Sequence, residues 1–127
     1  MHYTLTKPCP KCPFRSDIRP YLRPARVREI TESLARGEFP CHETVAYNDD
    51  GEGVITKKSQ HCAGALIVIE RMERPSQMIR IMERLGFYDR RMLNMRAPVY
   101  ASFTAMIRAA QREERARARN IKTPMKH

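Results

Sequence analysis

Apolar residues first recur at helical spacing after Pro24. Val27, Ile30 and Leu34 fall at i, i+3 and i+7, on one face of a helix. Pro24 suits the first helical position and Gly37 the stop, so the pattern predicts a helix over Pro24–Arg36. The period then changes. Residues 42–47 and 54–58 are strand-like and flank Asn48-Asp49-Asp50-Gly51-Glu52-Gly53, which predicts a β-hairpin. From Cys62 the stretch "CAGALIVIERMER" turns helical and runs toward Pro75. In "SQMIRIMERLG" a stripe of Met78, Ile79, Met82 and Leu85 predicts another helix, ended by Gly86. Pro98 opens a predicted last helix to residue 119, with Tyr100, Phe103, Ile107 and Ala110 as its apolar face. The fold class is therefore α+β, a small, mainly helical domain with one hairpin. A single domain over residues 1–127 is expected: 1–69 with the hairpin, 70–107 helical, and 108–127 a basic tail.

The four cysteines add chemistry to this outline. Cys9 and Cys12 form a CxxC, Cys41 follows after 28 residues and Cys62 after 20 more. The hairpin returns the chain so that Cys41 and Cys62, at its outer ends, converge. Four thiolates complete a tetrahedral zinc site or hold one [4Fe–4S] cluster, so a four-cysteine metal centre of Cys9, Cys12, Cys41 and Cys62 is expected. Zinc is the first reading and the iron–sulfur cluster the alternative. Pro13 follows Cys12 where a zinc knuckle usually has glycine, which suits a cysteine just before a short helix. Cys62 also precedes a helix, whose N-terminal dipole favours a thiolate. His42 is either a substitute ligand or a hydrogen-bond partner to a ligand. His61 has the second role open to it with less support. The competing reading is that Cys41 and Cys62 are small buried hydrophobes. A redox CxxC is disfavoured, because no strand precedes it and no βαβ pattern follows.

Charge narrows the partners. The chain carries 24 Lys and Arg against 14 Asp and Glu, a formal +10, which favours polyanions such as nucleic acid or an acidic protein face. At helical spacing Arg108, Arg112, Arg115 and Arg119 fall on one stripe, a row suited to phosphates; Lys122 and Lys126 extend the basic run. Arg15, Arg19, Arg23, Arg26 and Arg28 form a further set that is equally well a solvated surface. The longest apolar run, residues 63–69, is far short of the ~20 residues a membrane span needs. No apolar leader stretch opens the chain. A cytoplasmic protein is expected, where cysteines serve more often as metal ligands than in disulfides.

The motifs "CPKCPFR", "FPCHET" and "CAGALI" together resemble a family of small cysteine-motif proteins of phages and bacteria, of uncharacterised function. The resemblance covers roughly residues 7–69 and leaves out the second half. It implies that Cys9, Cys12, Cys41, His42 and Cys62 are the matched motif positions, together with Arg15, Thr44 and Gly64. It also implies a phage or prophage source. Phe14 stands where many members carry tryptophan. No P-loop, GxSxG or deaminase-ordered HxE…PCxxC is present, so binding is favoured over catalysis. The expected function is a metal-stabilised basic binding protein, a phage-encoded regulator acting on nucleic acid or on a nucleic-acid-processing complex. The alternative is an assembly component of a virion, with Met72, Met78, Met82, Met92 and Met95 as an adaptable interface rather than core.

Overall fold

Helix α1 spans Pro24–Arg36 in the computed structural model, which describes residues 1–122. Pro24, Val27, Ile30, Thr31 and Leu34 are its buried residues, the face its periodicity predicts. The chain then runs through Phe39 and Cys41 into the hairpin. Strands β1 (Ala46–Tyr47) and β2 (Gly53–Val54) pair antiparallel, Ala46 opposite Val54 and Tyr47 opposite Gly53. They are much shorter than the expected 42–47 and 54–58. Both strands are exposed throughout, and a two-stranded ribbon with no buried face does not sustain a long ladder. The Asn48 carboxamide closes the turn by accepting the Asp50 and Glu52 amides at 3.0 and 2.9 Å.

A separate pairing closes the base of the hairpin. Pro40 and His61 form an antiparallel bridge. The Cys41 amide donates to Gln60 O at 2.7 Å and the Cys62 amide to Phe39 O at 2.8 Å. The N-terminal segment joins on the other side, His2 pairing parallel with Gln60. Cys41 thus faces Gln60 and Cys62 faces Phe39, which sets the two cysteines diagonally across the base of the hairpin.

Helix α2, Ala63–Arg71, is buried from Ala63 to Ile69. A short helix apolar on every side belongs at the centre of a fold. Burying Leu66, Ile67, Val68 and Ile69 contributes about 1.5–3 kcal/mol each. The helix ends at Arg71, earlier than Pro75 implied. Glu73 adopts a left-handed φ of 56°, and the Arg74 amide donates back to Ile69 O at 3.0 Å. Proline disfavours helix in the residue before it, so the chain has already turned when Pro75 arrives.

Helix α3, Gln77–Arg84, is capped by Ser76, whose hydroxyl accepts the Ile79 amide and donates to Gly37 O at 2.8 Å. Gly86, at φ 83°, turns the chain out of it. Only Ile79 of α3 is buried. Met78, Ile81 and Leu85 stand exposed, as do Met92 and Met95 beyond the helix, whereas Met72 and Met82 pack on the core.

Helix α4 spans Phe103–Lys122, starting five residues after the expected Pro98. Residues 98–100 instead lie against the cysteine loop: Arg15 bridges Val99, the Ser16 amide donates to Pro98 O and the Tyr100 amide to Phe14 O. Ser102 then caps α4 by accepting the Ala105 amide at 3.1 Å. Tyr100 is therefore not part of the α4 face, which buries Met106, Ala109 and Ala110. The Arg71 guanidinium holds the incoming segment, donating to the Val99, Met95 and Ala97 carbonyls. Helix α4 packs on α1. One buried cluster runs from Tyr3 through Phe14, Leu34, Leu66 and Ile79 to Met106 and Ala110. The fold is α+β, as expected.

Candidate metal centre and arginine face

The cysteine loop is two consecutive turns, the Cys12 amide donating to Cys9 O and the Arg15 amide to Cys12 O, each at 3.1 Å. No helix follows Pro13, contrary to the expectation, because Arg15 enters its pairing with Val99 at once. This loop seats Cys12 on the first turn of α2. The Cys12 and Cys62 sulfurs are 3.5 Å apart, and Cys62 also caps the helix by accepting the Ala65 amide. Gly64 makes the approach possible: a Cβ there would lie 2.6 Å from Cys12 Sγ and 3.1 Å from Phe14 Cβ.

Cys9, Cys12 and Cys62 respond to their surroundings. A hydrogen bond from Cys62, with help from the Phe14 amide, the Arg15 charge and the Gly64 amide, holds the Cys12 thiol below its usual range despite burial. The Cys62 thiol rises, first through that same bond and then through burial and the charges of Cys12 and Cys41. Burial pushes Cys9 up to about 12, aided by the charges of Cys12, Cys41 and Glu43. Tyr21 is pushed up to about 12 by burial and by the charges of Cys12, Cys9 and Cys62. Cys9 and Cys62 are raised in part by the charge of neighbouring thiolates, a repulsion that a cation relieves.

A second group adjoins this one. Cys9 Sγ lies 3.9 Å from His42 Nε2, and the ligand atoms of Cys9, His42 and Glu43 lie within 4.8 Å of one another. Cys41 sits buried at the hairpin base, its carbonyl accepting the Thr44 amide and hydroxyl. The structure thus joins Cys12 to Cys62 and Cys9 to His42. The Cys9–His42–Glu43 group and the cysteines near it can hold a metal ion. Glu43 was not among the expected ligands, because the His42-Glu43 pair does not stand in a deaminase-ordered motif. His61 has a different role. It is fully buried, accepts the Phe39 amide on Nε2 at 3.0 Å, and so donates from Nδ1 to Cys62 O at 3.0 Å. Both ring nitrogens are used, and Tyr3 stacks on the ring at 5.4 Å. His61 braces the ligand-bearing strands and is not free to act as a ligand.

Arg108, Arg112, Arg115 and Arg119 are all exposed, on the side of α4 opposite Met106 and Ala110. None of the four forms an ion pair among the described residues. Glu113 turns away from the row to Arg19 and Arg117, and Arg117 donates to Pro20 O at 2.9 Å. Lys126 lies outside the described residues, and so does the Lys122 side chain. In the N-terminal set Arg15 pairs with Asp17 and Arg26 with Glu29.

The fold and site define a small α+β protein with a metal-capable cysteine–histidine group and a basic helix face. The chain belongs to a family of unknown function (DUF6283), whose model matches residues 4–122. The match takes in α3 and α4, so the likeness is not confined to residues 7–69. Neither a curated protein nor a solved structure matches the chain. Among the described residues, no helix is long and apolar enough to cross a membrane.

Proposed function

We propose that the protein is a metal-stabilised nucleic-acid-binding module, with zinc in the cysteine centre and the α4 arginine row as its phosphate contact. The observation that carries the reading is that row: four exposed guanidiniums on one helix face, with no acidic partner among the described residues. Such a row bridges successive phosphates and reads no bases, so binding is sequence-tolerant and salt-sensitive. The metal reading rests on the donor set. Tetrahedral ligands at a Zn–S distance of about 2.3 Å lie about 3.8 Å apart. The 3.5 Å Cys12–Cys62 and 3.9 Å Cys9–His42 separations each suit a pair of ligands on one ion. A four-iron cluster binds each cysteine to a separate iron and spreads its ligands wider. A bound metal would pin the cysteine loop, the hairpin base and α2 together.

The test is duplex DNA affinity at two salt concentrations, for the wild type and for R108Q/R112Q/R115Q/R119Q. The log–log salt slope should fall by about 3–4 in the variant, at roughly 0.9 for each phosphate no longer neutralised. An unchanged slope refutes the arginine row. Colourless protein with one zinc supports the zinc assignment, and brown protein refutes it in favour of the iron–sulfur cluster. A second reading, an assembly component, is favoured by the exposed Met78, Ile81 and Leu85 on one side of α3. Light scattering showing a stable oligomer would support it.

A further inference from the structure

An open groove of about 730 Å³ lies beside the metal-capable group. Its floor is apolar, from Ile18, Leu22, Ile30 and Phe39, and one end is His42. The rings of Tyr21 and Tyr47 line it, 47% and 63% exposed. Both are anchored through their hydroxyls, Tyr21 donating to Lys11 O at 2.6 Å and Tyr47 to His42 O at 3.3 Å. Lys11 and Arg26 supply positive charge, and no carboxylate lines the groove. Glu29 pairs with Arg26 from outside at 3.1 Å, an exposed contact that a phosphate can replace. The framing prolines, Pro10 and Pro13, belong to the cysteine loop, so a metal that orders the loop also shapes the groove.

Fixed exposed aromatics over an apolar floor, with cations alongside and no acid, match a flat aromatic ring carrying an anionic group. We propose that the groove takes one unstacked nucleobase, its ring against Tyr47 and Tyr21 and its phosphate on Lys11 and Arg26. Duplex nucleic acid cannot offer such a base without unpairing it, whereas a single strand can. The inference rests on the nucleic-acid reading and refines it: α4 supplies sequence-tolerant attraction and the groove supplies preference for single strands.

The test uses full-length, metal-loaded protein and fluorescence polarisation of a labelled oligo-dT strand and of its duplex. Wild type should bind the strand more tightly. Tyr47→Ala should weaken strand binding about 5- to 150-fold, the span of a single base–aromatic stack. Tyr47→Phe keeps the ring and loses only its hydroxyl bond to His42 O, so it should weaken strand binding far less than Tyr47→Ala, and duplex affinity should be unchanged in both. The chain has five tyrosines and no tryptophan, so adenosine monophosphate should quench tyrosine emission and ribose 5-phosphate should not. The groove assignment is overturned if Tyr47→Ala binds the strand like wild type, or weakens strand and duplex equally. Those outcomes leave the arginine row standing. An unchanged salt slope in the four-arginine variant, with Tyr47→Ala weakening strand binding alone, removes the row and leaves the groove.

Discussion

Replacing Gly64 with alanine ought to stabilise a helix by ordinary rules. Alanine exceeds glycine in helix interiors by about 1 kcal/mol, partly through the unfolded chain. Here the new methyl would sit 2.6 Å from Cys12 Sγ and 3.1 Å from Phe14 Cβ. Unstrained contacts lie near 3.5–4.0 Å, so the cysteine loop must retreat by about 1 Å. Phe14 is fully buried and cannot yield cheaply. Overpacking of this kind costs about 1–3 kcal/mol, and the retreat also breaks the Cys12–Cys62 contact and the Gly64 amide's hold on Cys12. We expect Gly64→Ala to lower stability by about 1–2 kcal/mol net of propensity, a fall of roughly 3–10 °C in Tm. It should also lower metal occupancy. Gly86→Ala is the control: nothing lies within 4 Å of its Cβ, and at φ 83° it carries backbone strain alone. It should cost about 1–2 kcal/mol with metal content unchanged. Urea unfolding and metal analysis of both variants decide the matter. A Gly64→Ala protein more stable than wild type, with full metal content, would refute the close approach of loop and helix.

Two further outcomes follow from buried polar groups. Burial lowers His61 to about 4 in the folded state, against an unfolded value near 6.5; the Cys62 carbonyl and Glu38 only partly oppose this. A depressed pKa means the unfolded chain binds the proton more readily, so the stabilising effect is full above pH ~6.5 and is lost as pH falls toward 4. The loss is on the order of 3 kcal/mol, read as the difference in pH slope between wild type and His61→Gln by urea unfolding. Equal slopes would contradict the neutral, doubly bonded ring. Arg71→Ala removes the donor shared by the Met95, Ala97 and Val99 carbonyls and should cost about 2–4 kcal/mol. Hydrogen exchange should then quicken in residues 95–100, and unchanged exchange there would show that the latch is not needed.

The local elements were largely legible along the chain. The spacing of Val27, Ile30 and Leu34, with Pro24 before and Gly37 after, was enough for α1, because its signals all lie within a few residues. The turn at residues 48–53 and the helix beginning at Cys62 were readable for the same reason. What failed were the places where a distant segment competes for the backbone. Pro98 looks like a helix start, but the Pro98 carbonyl and Tyr100 amide are taken by the cysteine loop and the Val99 carbonyl by Arg71, which delays α4 to Phe103. The strands were read too long because a face that nothing covers gains little from a longer ladder. At the site, chain proximity put Cys9 with Cys12, and the hairpin put Cys41 with Cys62. A common centre for the four cysteines, with His42 near it, was an expectation; the packed structure shows which donors touch, Cys12 against Cys62 across the bare Cα of Gly64 and Cys9 with His42 and Glu43. Local sequence determines which turns and helices the backbone prefers. Long-range hydrogen bonding and steric fit decide where those elements stop and which donors meet.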